Sequence, residues 1–132
     1  MAEVAIHIEA DVNPTEDQEK VKTAITNILS NTSLKSEPLG KQHLLSAEAK
    51  GQDSLVKFRN LLRSDRIRDA ARRALFHSIK GDEISFCLNK QVAYSGHVSF
   101  CEETAESPLG PIRVTIETAN PRQLIEWLAE KT

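Results

Sequence analysis

Along residues 4–12 the side chains alternate: Val4, Ile6, Ile8, Ala10 and Val12 fall on one side, His7, Glu9 and Asp11 on the other. A period of two is that of a strand with one buried face, so a half-buried strand is expected over Glu3–Val12. The same period returns at Ile84, Phe86 and Leu88 within Glu83–Asn89, and at Ile112, Val114 and Ile116. A shorter strand is expected at His97–Cys101, with Val98 and Phe100 together. Helical spacing takes over at Val21, Ala24, Ile25, Ile28 and Leu29, ending near Asn31. It recurs at Leu55, Phe58, Leu61 and Leu62, after a start near Asp53 or Ser54, and at Leu124, Ile125, Trp127 and Leu128. The stretch Ser33–Gly51 is harder to read. Pro38 argues against an interior strand there, and KQHLLSAEAK fits a strand or a short helix, the strand being favoured.

Capping chemistry sharpens these boundaries. Asn13-Pro14-Thr15-Glu16 reads as a helix start, with Asn as cap, Pro first in the helix and Glu reaching back. Asn120-Pro121 repeats the opening before the last helix. Ser64-Asp65 offers a break and a new cap before the most strongly helical and most basic run, Asp65–Gly81. At 100° per residue, Ile67, Ala70, Ala71, Ala74, Leu75 and Ile79 form its buried face. Arg66, Asp69, Arg72, Arg73, Phe76, His77 and Lys80 form the other, and Gly81 ends the helix. A hairpin through Lys90–Gly96 brings Leu88 near Val98 or Phe100, and Cys87 near Cys101. Its polar face of Ser85, Cys87, Asn89, His97, Ser99 and Cys101 lies opposite the core. The elements add up to one α+β domain over residues 1–132: two layers, a single mixed or mainly antiparallel sheet, and helices packed on one face.

Charge changes the picture. The net charge of -2 argues against a protein that coats nucleic acid indiscriminately. Yet Lys57–Lys80 holds eight basic and two acidic residues, an excess of six positive charges, while the remainder is acidic. Such asymmetry suits one electropositive patch on an acidic body. Arg63, Arg66, Arg72, Arg73 and Lys80 can reach phosphates, and Phe76 among them can stack a base or pack against a neighbouring element. Lys90 and Gln91, in the expected turn, form a second donor-rich candidate. No phosphate loop, dinucleotide fingerprint, nucleophile elbow or zinc motif is present, so neither catalysis, a cofactor nor a metal is implied. The two cysteines lack metal-type spacing and are too few for a disulfide framework. No run approaches membrane-spanning length and the start is not a signal peptide, which makes a reducing cytoplasm the expected setting and the cysteines thiols.

Four segments, VNPTEDQEKV, RIRDAARRAL, LNKQVAY and ESPLGPIRV, together resemble a family of small, uncharacterised archaeal proteins predicted to bind RNA and treated as exosome-associated candidates. The resemblance covers nearly the whole chain. It implies a two-layer α+β fold similar to a large-subunit ribosomal protein that binds rRNA, and raises RNA above other ligands without naming catalytic residues. The resulting expectation is non-enzymatic binding of structured RNA, in RNA processing or ribosome-related assembly, through the basic helix and the Lys90 turn. A second reading stands beside it: a protein–protein adaptor, or a chain that self-associates as a homodimer.

Overall fold

Strand β1 (Val4–Val12) occupies the middle of the structure, a computed structural model that describes residues 4–30, 32–101 and 111–130. Its alternation appears residue by residue: Val4, Ile6, Ile8, Ala10 and Val12 are buried, and the residues between them are not. On one side β1 pairs antiparallel with β3 (Gln42–Lys50), on the other with β7 (Ile112–Thr118). Beyond β3 lies the edge strand β2 (Ser33–Leu39), where Pro38 sits without breaking an interior ladder. Beyond β7 comes β5 (Glu83–Leu88). Its far edge carries β4 (Ile79–Lys80) at one end and β6 (Phe100–Cys101) at the other. The sheet is antiparallel throughout the described residues.

The helices among the described residues are α1 (Gln18–Ile28), α2 (Val56–Ser64), α3 (Arg68–His77), α4 (Lys90–Tyr94) and α5 (Pro121–Leu128), with a 3-10 turn at Gln52–Leu55. Their apolar stripes join the inner side chains of the sheet in one core, aliphatic except for Phe58, with Phe76, Phe86, Phe100 and Trp127 packed against it. Phe58 stacks on Phe86 at 5.6 Å between ring centroids, and Phe100 meets Phe86 at 5.7 Å. Each large side chain fully buried here contributes about 1.5–3 kcal/mol. The result is α+β, with helices on one face as expected.

Several boundaries move, each for a local reason. Asn13–Glu16 closes a turn of its own, Glu16 N–H donating to the Asn13 carbonyl at 2.9 Å, with proline at the position a turn favours. The first helix therefore starts at Gln18, capped by Asp17, whose carboxylate accepts from the Glu19 amide. Glu16 still reaches back to the Asn13 amide, at 3.0 Å. The basic helix ends at His77, not at Gly81. Gly81, at φ +60°, begins the two-residue turn of the β4–β5 hairpin, a position that favours glycine. The Lys90–Gly96 connection is not a plain turn. Asn89 caps it by accepting from the Val92 amide, and a helical turn results. The strand expected over His97–Cys101 shrinks to Phe100–Cys101, since the Val98 amide is taken by Asp65. Cys87 does face Cys101, and Leu88 faces Phe100. The loop expected over Glu102–Pro111 falls, as far as Gly110, outside the described residues, as do Glu3 and Asn31.

The basic helix is also rotated from expectation. Ala71 and Leu75 are buried, Ala74 is half-buried and Ala70 faces solvent. Arg72 and Phe76, expected on the free side, lie on a flank that α5 covers. An amphipathic pattern rich in alanine fixes a helix's rotation only loosely, and the neighbour decides. Ala71→Leu should therefore overpack the core and cost roughly 1–3 kcal/mol in denaturant unfolding. Ala70→Leu should stay within about 0.5 kcal/mol of the parent. Equal losses at both positions would contradict this rotation.

Candidate nucleic-acid interface

The corner between α2 and α3 is built by a helix-ending motif. The Ile67 amide donates to the Leu62 carbonyl at 3.2 Å and the Arg66 amide to the Arg63 carbonyl, also at 3.2 Å. This is the Schellman pattern, and it puts Arg66 at the left-handed position, φ 56°. Glycine normally sits there; a side chain with a Cβ is held at a cost of order 1–3 kcal/mol. Asp65, expected to cap the next helix, instead ends α2 and binds His97 Nδ1 and the Val98 amide, both at 2.9 Å. The chain thus spends backbone strain at the point where an exposed arginine leaves the corner.

The closing helix sorts the remaining arginines into two groups. Arg72 forks onto Glu126, with Nη1 and Nη2 at 2.8 and 2.9 Å from its two oxygens, and also donates to the Ala129 carbonyl at 3.0 Å. Arg59 bonds the Trp127 carbonyl at 2.9 Å, pairs with Glu130 and lies over the Trp127 ring. These two guanidinia anchor α5. The Arg59 hydrogen bond, aided by the field of Arg63 and Arg68, holds the Glu130 carboxyl below its ordinary range. Arg63, Arg66, Arg73 and Lys80 are exposed, and among the described residues none of them joins a salt bridge.

Phe76 packs against the core rather than standing free. Two guanidinia lie over its ring, Arg72 at 5.3 Å and Arg122 at 5.8 Å from the centroid. Arg122 and Arg68 were not among the candidates. Arg122 lies far along the chain in α5, and the only signal for it was its place beside Pro121 in the first turn of a helix whose docking site the sequence does not reveal. Lys90 is placed quite differently from expectation. It is 4% exposed, and its ammonium donates to the Asp11 carbonyl at 2.6 Å and to the Glu16 oxygens at 2.9 and 3.2 Å. A buried ammonium persists only when paired, and this one ties α4 to β1 and to the turn before α1. Gln91, its neighbour, is exposed, but on α4 and away from the α2–α3 corner in sequence and element. Among the described residues no three His, Cys, Asp or Glu side chains converge to hold a metal ion, and no helix is long and apolar enough to cross a membrane.

Fold and surface together define a single-sheet α+β protein whose helical layer carries an arginine-lined corner. A family model described as RNA binding matches residues 5–118. A UPF0201 protein of Sulfurisphaera tokodaii is 48% identical over 127 residues, covering 96% of this chain and 88% of that one. One from Aeropyrum pernix is 43% identical over 130 residues, covering 98% and 87%. The crystal structure of a UPF0201 protein from Methanococcus jannaschii superposes with a TM-score of 0.86 at 34% identity, covering 97% of this chain and 94% of that one. The chain belongs to this archaeal UPF0201 family.

Two measurements check the local chemistry. Arg66→Gly should raise stability by roughly 1 kcal/mol, because it relieves the left-handed strain while keeping the motif; a loss would mean the side chain is structurally needed. For Glu16, burial alone would raise the pKa, but the Asn13 donors and the Lys90 ammonium outweigh it and hold it below the ordinary 4.5. Its stabilising contribution is therefore full above that ordinary value and lost as pH falls through the lowered one. Stability of the parent should drop more steeply on acidification than that of Glu16→Gln; parallel curves would contradict the pairing.

Proposed function

We propose that the protein binds structured RNA without transforming it, through the outer surface of the α2–α3 corner. Arg63, Arg66 and Arg73 are the phosphate contacts, with Lys80 and Arg122 at the margins. One observation carries the reading. Of the cations concentrated in this part of the chain, Arg59 and Arg72 are engaged by α5, whereas Arg63, Arg66 and Arg73 are exposed and outside any salt bridge among the described residues. Arginine at a strained left-handed position, where glycine would serve the backbone better, fits a side chain kept for contact. The RNA-binding description of the family model points the same way. Arg122, lying over Phe76, offers its outer face to a base or phosphate. RNA processing or ribosome-related assembly is the setting in which such a surface would work.

Phosphate contacts release counterions, so log affinity falls with log salt by roughly 0.7–0.9 per contact. Arg66→Gln and Arg73→Gln together should flatten that slope by about 1–2 units, measured by fluorescence anisotropy on an RNA hairpin, with the melting temperature no lower than the parent's. Arg72→Gln should lower the melting temperature instead, through α5. If the double variant keeps the parent's affinity and slope, the corner is a solvated surface and the adaptor reading takes over.

A further inference from the structure

We propose that Cys87 and Cys101 form a reversible intramolecular disulfide, making the open face of the sheet a redox site for small-molecule disulfides. Both cysteines are half-buried, outside the core. They belong to adjacent antiparallel strands and stand directly opposite each other in register. Two residues further along the same ladder, the Asn89 amide donates to the Ser99 carbonyl at 2.8 Å. Pair types alternate along an antiparallel ladder, so Cys87 and Cys101 occupy a hydrogen-bonded pair like Asn89 and Ser99. The Cα separation of such a pair is typically about 5.5 Å. That lies inside the window of roughly 4.4–6.8 Å that a disulfide spans. The Cβ atoms of such a pair, however, stand up to about 5.5 Å apart, against roughly 3.5–4.5 Å in a disulfide. The two-residue strand β6 therefore has to shift, and the bond is a strained, easily reduced one.

The surroundings supply access. Both cysteines line an open depression of about 400 Å³ together with His7, Ser85 and Arg113. Across the sheet, Glu9, Arg113, Cys87 and Cys101 form one row through β1, β7, β5 and β6. Arg113 is held in that row by Glu9, at 2.9 Å, and by Asp11, at 3.6 Å. Cys87 stands in register between Arg113 and Cys101; its thiolate, the attacking form, is the nucleophile, and Cys101 resolves.

The step balances with a small disulfide as oxidant. The Cys87 thiolate attacks one sulfur of the disulfide, a mixed disulfide forms, and one small thiolate leaves. The Cys101 thiolate then attacks the Cys87 sulfur and expels the second. Two protein thiols are oxidised to one disulfide, and one small-molecule disulfide is reduced to two thiols, which take up the two protons. The product pins β6, a two-residue strand, to β5 and closes the loop 87–101, which restricts the unfolded chain.

The test is incubation of the full chain in glutathione buffers of rising oxidised fraction. Thiols are then titrated after denaturation, and intact mass and melting temperature are read. The expected result is joint loss of both thiols at monomeric mass, two hydrogens lighter, with the melting temperature raised by several degrees and restored by dithiothreitol. Cys87→Ser and Cys101→Ser should each abolish that rise. The proposal is overturned if both thiols persist at full oxidation, or if oxidation gives only glutathione adducts or cross-linked dimers.

Discussion

The structure depends on one strand being paired on both sides and buried on one face. β1 is bonded to β3 and β7 along nearly its whole length, and every second side chain it carries lies under the helices. Among the described residues the helices cover one face of the seven-stranded sheet. That constraint divides the surface into two kinds. The open face keeps polar strand residues, among them His7, Glu9, Arg113 and Cys87. The covered face hands its outer surface to the helices, where the other arginines are.

Electrostatics within the helical layer then decide which cations are structural. α5 must be held over α2 and α3, and apolar docking by Leu124, Ile125 and Leu128 is joined by two guanidinium clamps from beneath. Surface ion pairs contribute little singly, but both guanidinia here also bond backbone carbonyls at the end of α5, which fixes geometry as well as charge. What they leave over is a corner with three exposed arginines, one of them held against its backbone preference. Strain, charge and exposure coincide at Arg66.

Much of the fold was legible in the chain. The alternation of β1, β5 and β7 and the apolar stripes of α1 and α5 require only local periodicity, and they appear as read. What local pattern does not contain is the neighbour. The rotation of α3 depended on α5 docking beside Arg72. Lys90 looked like a turn residue because its partners, Asp11 and Glu16, lie far back in the sequence. Asn13-Pro14 carries the signals of a helix start and of a turn alike, and the turn won because Glu16 and Lys90 complete it. Of the candidate interface, the arginine-rich stretch was visible; the separation of Arg59 and Arg72 from Arg63, Arg66 and Arg73 was not, since it rests on carboxylates more than fifty residues away.

The central claim is that RNA is met by the outer surface of the α2–α3 corner and not by the open sheet. Titration of the isotopically labelled protein with an RNA hairpin, followed residue by residue by NMR, tests it most directly. The account predicts that signals of Arg63, Arg66 and Arg73 and their neighbours shift together, while those of His7, Ser85, Arg113 and Thr115 stay in place. Shifts confined to the open sheet face, with the corner unmoved, would contradict it.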